Sequence, residues 1–283
     1  MGNKNKYIVV SFSGGRTSAF MSQYIINSDT YKDFEKVFVF ANTGKEHEKT
    51  LDFVERCDKE FGMNLVWVEN DEDIKGNLSF KIVNYKTASR NGEPFEKVIK
   101  RKNAIPSTTA PYCSEYLKQY PINKYLKSIG ITKHNSKTAI GIRYDERNRV
   151  NWETAKKRNL FYPLVTDFPI DSTFIRKYWD AQCFDLGLSD YEGNCDLCYK
   201  KSNRKLMTLI LENEGIEDWW RQMEDKYSNN GELQMFRGNM TTQDLVEMSK
   251  QPFAKSIDKH QLNEKQIKMF GDDLDIGGNC FCR

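Results

Sequence analysis

The sequence has little histidine, little proline and little excess of charge. Its 283 residues include three histidines and seven prolines, and 43 basic residues nearly balance 40 acidic ones, for a formal net charge of +3. The histidines, His47, His134 and His260, stand in no recognisable catalytic pattern, so nothing favours a histidine base. A charge this small does not by itself indicate nucleic-acid binding, since such surfaces usually show a strong basic excess.

Long hydrophobic runs are also lacking. The longest, YIVVSF and KVFVFA, are far shorter than the roughly 20 residues that a membrane span requires, and the first residues, MGNKNK, lack the apolar stretch of a signal peptide. We therefore predict a cytoplasmic protein with no membrane partner. In a reducing compartment, the seven cysteines are expected to be metal ligands, reactive thiols or core residues rather than disulfides.

Strand and helix patterns alternate along the first half of the chain. YIVVSFS, KVFVFAN and NLVWVE are short β-branched or aromatic runs, and segments with apolar residues at helical spacing separate them. Such alternation predicts an α/β fold with a doubly wound, mostly parallel, Rossmann-like sheet. The polar segment 70–111 is predicted as a long loop. Its basic run KVIKRK would contact a second anion because its cations repel one another, and a solvated loop is the alternative.

The segment SFSGGRTS, residues 11–18, lies between the first strand and the first helix. Gly14 and Gly15 permit positive φ and a close approach of the backbone, so successive N–H groups and the helix N-terminus can surround an anion. The other side chains add donors and one charge: Ser11, Ser13, Arg16, Thr17 and Ser18. Gly-Gly also occurs in ordinary turns, and the spacing is not that of a Walker A loop. We predict that a phosphate binds here.

The glycine turn resembles the PP-loop, SGGxxS, and the chain resembles the phosphoadenosine-phosphosulfate (PAPS) reductase family. Four further segments resemble motifs of that family in the same order: FANTGKEHEKTLDFV, YCSEYLKQYPINKYL, GIRYDERNR and YPLVTDFPIDSTFIRKYW. The resemblance covers roughly residues 7–200 and implies an adenine nucleotide alpha hydrolase-like fold that binds ATP or PAPS. The PP-loop enzymes of DNA phosphorothioation and tRNA thiolation are also similar.

The resemblance implies a nucleotide cleft at the carboxyl ends of the strands, where open α/β sheets bind ligands. Besides the glycine turn, it places there Asn42, Thr43, Gly44, Lys118, Gly141, Arg143 and Arg149. Arg143 also counts among the candidate catalytic residues, because its fork of donors suits a phosphate or sulfate. Ion pairs with Asp145 and Glu146 are the alternative role of Arg143 and Arg149. Many PP-loops carry Lys-Asp where this chain has Arg16 and Thr17. The chain therefore lacks the carboxylate that would take the metal–phosphate role of that aspartate.

Three cysteines are predicted to converge on a metal. Cys195 and Cys198 form a C-x-x-C pair in GNCDLCYK, a spacing that lets two thiolates bind one metal. Their separation from Cys113 resembles that in the four-iron-cluster adenylylsulfate reductases, which implies an iron–sulfur cluster, with zinc as the alternative. Cys282 in the tail is the candidate fourth ligand. A reduced or redox-active dithiol is the alternative to a metal.

The tail cysteines, Cys280 and Cys282, have a second predicted role. In the reductase family a C-terminal cysteine is the nucleophile, so the resemblance implies a catalytic thiolate that attacks the sulfur of PAPS or adenylylsulfate, with a thioredoxin-like reductant as partner. The second hypothesis is ATP-dependent adenylation of a nucleic acid or small acceptor with release of pyrophosphate. Sulfur transfer from a donor protein to that acceptor would follow. The third is a non-catalytic nucleotide- and zinc-binding module, encoded in a phage or mobile element.

Only helical patterns follow residue 171, and the last residues are glycine-rich and acidic. This change of character predicts three parts: a PP-loop nucleotide-binding domain at residues 1–165, a helical subdomain with the C-x-x-C pair at residues 166–270, and a cysteine-containing tail at residues 271–283.

Overall fold

The computed structural model describes residues 6–108, 110–228, 236–237 and 239–258. These residues form two compact units, each discontinuous in the sequence. The first comprises residues 6–42, 48–88 and 120–187, and the second comprises residues 43–47, 89–119 and the described residues from 188 onward. The linear division at residue 165 stays a prediction, and the tail 271–283 lies outside the described residues.

A six-stranded sheet forms the centre of the first unit. Its strands are β1 (Tyr7–Phe12), β2 (Glu35–Asn42), β3 (Val66–Glu72), β4 (Leu78–Val83), β5 (Ser136–Ala139) and β6 (Leu160–Phe161). Their order is β4-β3-β2-β1-β5-β6, and every neighbouring pair is parallel except β3 and β4. The predicted α/β class with a mostly parallel sheet is confirmed.

The helices connect and cover these strands or follow them in the chain. They are α1 (Arg16–Asn27), α2 (Glu48–Phe61), α3 (Glu93–Lys102), α4 (Tyr120–Ser128), α5 (Trp152–Arg158), α6 (Pro163–Thr166), α7 (Ser172–Asp180), α8 (Asn203–Glu212), α9 (Asp218–Tyr227) and α10 (Thr242–Ser249). Within the described part of the chain, none of them has the length and apolar character needed to cross a membrane.

The sheet is buried on both faces. Ile8, Val9 and Val10 of β1 are fully buried, the near-continuous apolar pattern of a parallel strand with cover on either side. Val9 packs with Tyr125 and Leu126 of α4 on one face. Because side chains alternate across a strand, Ile8 and Val10 point to the opposite face.

Trp179 fastens α7 to the beginning of α1. Its side chain is 1% exposed, and its ring meets those of Phe53 and Phe184, with centroids 4.9 and 5.5 Å away. The indole N–H donates to the carbonyl of Arg16 at 3.1 Å, so the buried donor is satisfied. The first turn of α1, which follows the glycine turn, is therefore held in place by a contact with α7.

The second unit contains α3, a π-helical turn at Ser114–Gln119, and α8, α9 and α10. Its core includes Phe95, Tyr199 and Trp220, all at most 5% exposed. Ring centroids of Phe95 and Trp220 lie 5.2 Å apart, with the planes near a right angle, an arrangement that aromatic pairs favour.

The prediction of one long loop over residues 70–111 is wrong, because β4 and α3 both lie within it. KVIKRK is the C-terminal part of α3. Val98 and Ile99 are buried, and the charges follow the helix dipole, with Glu93 in the first turn and Lys100, Arg101 and Lys102 in the last. These cations therefore have a structural role without an anion. Lys102 also donates to the hydroxyl of Tyr116 at 2.6 Å.

Gly92 precedes α3 with φ +81, and a Cβ there would lie 2.4 Å from Cε2 of Trp219. We expect Gly92→Ala to lower the free energy of unfolding by about 3 kcal/mol, because the left-handed backbone and the ring both oppose a side chain. Gly76→Ala is the matched control, since Gly76 has φ +73 and open space around it, and should lose only about 1–2 kcal/mol. Urea denaturation measures both, and equal losses would contradict the contact with Trp219.

Candidate functional site

Only glycine fits at the first position of the glycine turn. Gly14 has φ +78, and a Cβ there would lie 2.7 Å from Cγ2 of Thr50 and 3.0 Å from Cγ2 of Val54. Gly15 caps the N-terminus of α1 in an extended conformation, with φ −102 and ψ 159. The backbone of the turn is thus set by packing beneath it, and the N-terminus of α1 follows directly. This is the arrangement in which a helix N-terminus can receive an anion.

Serine hydroxyl groups make hydrogen bonds within the glycine turn. The hydroxyl of Ser18 accepts hydrogen bonds from the backbone N–H and the hydroxyl of Ser13, at 3.2 and 2.9 Å. It donates in turn to the carbonyl of Gly15 at 2.9 Å. A ligand would therefore meet a turn whose shape is already fixed, which reduces the cost of ordering it on binding.

The glycine turn lies where the winding of the sheet reverses. β1 has β2 on one side and β5 on the other, so the segments that follow β1 and β5 diverge at the same edge. Gly141 follows β5, and a Cβ there would lie 3.4 Å from Cα of Ser18. The two segments are thus in close contact at the switch point, where open α/β sheets bind their ligands.

Arg143 joins these two segments. Its Nη1 donates to the hydroxyl of Thr17 at 3.1 Å, and its Nε and Nη2 donate to the two carboxylate oxygens of Asp145 at 2.9 and 3.1 Å. Arg149 pairs with Glu146 at 2.6 Å. The ion pairs named above as the alternative are thus present for both arginines, and Arg143 in addition contacts the glycine turn.

Asp185 is a partner of the turn that the sequence analysis missed. Its carboxylate accepts two hydrogen bonds from Arg16, at 2.6 and 2.5 Å. Burial acts to raise the pKa of Asp185, but the hydrogen bonds and charge of Arg16 outweigh it, and the pKa is lowered. The pair spans 169 positions of the sequence, so no local pattern could have indicated it.

Two further predicted residues lie in strands of the first unit. Ser11 is part of β1. Asn42 ends β2, and its amide donates to buried Glu69 at 2.6 Å, which also pairs with Lys81 at 2.8 Å. Asn42 therefore has a structural partner at the strand end.

Thr43, Gly44 and Lys118 belong to the second unit. The N–H and hydroxyl of Thr43 donate to one carboxylate oxygen of Glu46 at 2.8 and 2.9 Å, and the ammonium of Lys118 lies 3.8 Å from the other. Burial raises the pKa of Glu46, although Lys118 and Thr43 act in the opposite direction. Thr43 and Lys118 thus contact a buried carboxylate, which the sequence analysis had not singled out.

Cys113, Cys195 and Cys198 line one cavity of about 20 Å³ in the second unit. Ser114 and Trp220 also line it, and neither Oγ of Ser114 nor Nε1 of Trp220 has a hydrogen-bond partner among the described residues. Over the same residues, no three His, Cys, Asp or Glu side chains are arranged to hold a metal ion. As placed, the cysteines do not form a metal site. Cys280 and Cys282 lie outside the described residues.

An open, mostly parallel sheet with a glycine turn at its switch point is the architecture of nucleotide-binding α/β proteins. The family model "Phosphoadenosine phosphosulfate reductase domain" matches residues 7–180, more than half of the chain. The chain therefore belongs to this family, whose PP-loop members bind adenine nucleotides.

Two relatives extend the comparison without supplying a reaction. An uncharacterized nin region protein of Escherichia phage lambda is 26% identical over 288 residues, covering 95% of this chain and 97% of that protein. An uncharacterized protein of Methanocaldococcus jannaschii is 28% identical over 125 residues, covering 44% of this chain and 24% of that protein.

We expect Asp185→Asn to lower the free energy of unfolding at neutral pH by about 1 kcal/mol or less, because the pair with Arg16 is partly exposed. The pKa of Asp185 is lowered in the folded protein, so its contribution is fully present above the ordinary carboxyl value of 3.8 and is lost as the pH falls through the folded-state value. Urea denaturation at about pH 7 and about pH 3 measures this, with the exposed Asp33→Asn as control. A difference between wild type and Asp185→Asn that does not shrink at low pH would contradict the ion pair.

Proposed function

We propose that the chain binds an adenine nucleotide at the glycine turn and couples it to sulfur chemistry. The observation that carries the proposal is the glycine turn at the switch point of the sheet, contacted by Arg143 through Thr17, in a chain of the PAPS reductase domain family. Two features support a phosphate at the turn: Gly14 has a positive φ, which lets the backbone turn sharply, and the N-terminus of α1 follows it.

The side chains around the turn would hold the charged end of the nucleotide. Backbone N–H groups of the turn would donate to a phosphate or phosphosulfate oxygen, and Arg16 and Arg143 would supply positive charge. Asp145 holds the guanidinium of Arg143 by two hydrogen bonds, so its donors are oriented before a ligand arrives. Oriented donors stabilise charge that develops during a reaction without further reorganisation.

The first reaction is reduction of a sulfonucleotide, either PAPS or adenylylsulfate. A thiolate of the tail, from Cys282 or Cys280, would attack the sulfur of the substrate, and the bond from sulfur to the phosphate oxygen would break with the electron pair leaving on the nucleotide. A thioredoxin-like dithiol would then attack the cysteine sulfur, become oxidised to a disulfide and release sulfite. Membership of the phosphoadenosine phosphosulfate reductase domain family supports this order of preference.

The second reaction is ATP-dependent sulfur transfer. An acceptor oxygen would attack the α-phosphorus, pyrophosphate would leave, and a sulfur nucleophile from a donor protein would then displace AMP. The exposed, cationic α5 that follows Arg143 in the chain favours this candidate, since it offers a surface for a polyanionic acceptor. A non-catalytic nucleotide-binding module is the remaining outcome.

An iron–sulfur cluster, or zinc, on Cys113, Cys195 and Cys198 with Cys282 is a separate part of the proposal. Its support is the single cavity that the first three cysteines line. Because these cysteines are not in a ligand arrangement, no step of either reaction is assigned to a metal. Iron, zinc and acid-labile sulfide, assayed after anaerobic purification, test this part. The cytosol as compartment and the partner proteins stay predictions.

Gly15→Val is expected to weaken adenine-nucleotide binding by about 100-fold, or about 3 kcal/mol, because its side chain would occupy the space that the phosphate needs. The extended backbone of Gly15 is one that valine adopts readily, so the fold should survive. Ser28→Val, at an extended position at the other end of α1, is the matched control. Calorimetric titration with ATP and with PAPS measures the effect, and wild-type affinity in Gly15→Val would refute the proposed site.

Reaction products separate the candidate functions. We expect sulfite from PAPS or adenylylsulfate in the presence of a dithiol if the first reaction is correct, and pyrophosphate with AMP from ATP if the second is. Gly15→Val should abolish either product, which links the product to the glycine turn. If the wild-type protein binds nucleotide but forms neither product, both reactions are refuted and the non-catalytic nucleotide-binding module is the function that remains.

A further inference from the structure

A cationic and aromatic surface follows Arg143 in the chain. It consists of the 3₁₀ turn Tyr144–Arg149 and α5, and we name it the α5 surface. Residues 143–158 include six cationic and three acidic side chains, so their excess of three positive charges equals the formal net charge of the whole chain, +3. The segment thus has a local basic excess, as does the run KVIKRK at the end of α3.

Two large aromatic side chains on this surface are exposed. Trp152 is 57% exposed and Tyr144 is 46% exposed. Helix α5 packs on the sheet side through Ala155, which contacts a small apolar cluster that includes Tyr162. The ring of Trp152 meets that of Tyr162 nearly at a right angle, with centroids 5.7 Å apart, and more than half of Trp152 stays in solvent.

Exposed cations stand beside these rings. The guanidinium of Arg147 lies over the ring of Tyr144, 4.5 Å from its centroid. Lys156 and Lys157 are exposed in the last turn of α5. The helix dipole accounts for lysines at this end, but it does not account for an exposed tryptophan one turn earlier on the side of Lys156.

Rings and cations in alternation are the recognition elements for single-stranded nucleic acid, whose bases stack on aromatic faces while its phosphates contact Lys and Arg. A double helix would hide its bases from Trp152 and Tyr144, and an acidic protein would supply charge without a stacking partner. The chemistry of the α5 surface therefore fits an unpaired strand better than either.

We propose that the α5 surface binds single-stranded nucleic acid. Its bases stack on Trp152 and Tyr144, and its phosphates contact Arg147, Lys156 and Lys157. Arg143, which begins this segment, contacts the glycine turn through Thr17 at 3.1 Å, within the same unit, so the bound strand approaches the nucleotide site. The role of the strand as sulfur acceptor rests on the second reaction proposed above, whereas its binding does not.

The test is fluorescence anisotropy of dye-labelled oligo-dT and oligo-U, each about 20 nucleotides long, titrated with wild-type protein over a salt series. We expect binding that weakens with salt, and Lys156→Glu combined with Lys157→Glu should reduce the slope of log K against log salt by about 1.4. Trp152→Ala should weaken binding at least about fivefold, while Trp152→Phe, which keeps a ring, retains most of the affinity.

Control variants carry the same charge reversals, and a truncation to alanine of an exposed aliphatic side chain, elsewhere in the first unit. Lys59→Glu combined with Lys75→Glu reverses two exposed lysines on α2 and in the turn between β3 and β4, and Ile74→Ala removes a side chain that is fully exposed. Both should bind the oligonucleotides as wild type does. All these positions are exposed, so far-UV circular dichroism should show the wild-type fold in each variant.

ATP titration of the same proteins separates this inference from the proposed function. The α5-surface variants should bind ATP as wild type does, and Gly15→Val should lose ATP but keep the oligonucleotides. Absence of oligonucleotide binding by the wild-type protein at about 50 mM salt overturns the inference. Binding by Trp152→Ala and by the double lysine variant that is as tight as that of wild type also overturns it. So does binding of poly-glutamate that is as tight as binding of the oligonucleotides. Oligonucleotide binding without ATP binding supports the α5 surface and refutes the proposed function. A preference between oligo-dT and oligo-U identifies the natural strand as DNA or RNA.

Discussion

The packing beneath Gly14 is the constraint on which the rest of the candidate site depends. Because Thr50 and Val54 leave no room for a Cβ and the backbone has φ +78, only glycine allows the chain to turn between β1 and α1 in this way. That turn positions Ser18 against the segment after β5 and Thr17 against Arg143. A different residue at position 14 would therefore displace contacts with α2 and with the segment that follows β5.

Local patterns predicted what local interactions determine. The strands β1, β2 and β3 are apolar runs, and the two adjacent glycines of the glycine turn indicate a turn, so the sequence predicts both. The segment 70–111 could not, because its glycines and prolines resemble loop markers, whereas Pro94 in fact stands in the first turn of α3, where its missing N–H costs nothing. Asp185 escaped notice because its partner, Arg16, is distant in the sequence. Glu46 escaped notice because its burial and its contact with Lys118 depend on the tertiary fold.

The residues that the proposal assigns to nucleotide and metal binding are divided between the two units. The glycine turn, Arg16 and Arg143 belong to the first, whereas Thr43, Lys118 and the cysteine-lined cavity belong to the second. The family model covers residues 7–180, which includes the whole sheet but ends before the C-x-x-C pair. Phosphate recognition is therefore the part of the function that the family membership supports most directly.

The interleaving of the two units has a consequence for synthesis on the ribosome. The sheet of the first unit lacks its last strand until Leu160 and Phe161 have been made, and by then residues 43–47 and 89–119 of the second unit have already been released. Those segments must wait for α8, α9 and α10 before their apolar side chains are covered. A nascent chain paused near residue 187 would thus expose Phe95, Val98 and Ile99, the kind of surface to which chaperones bind.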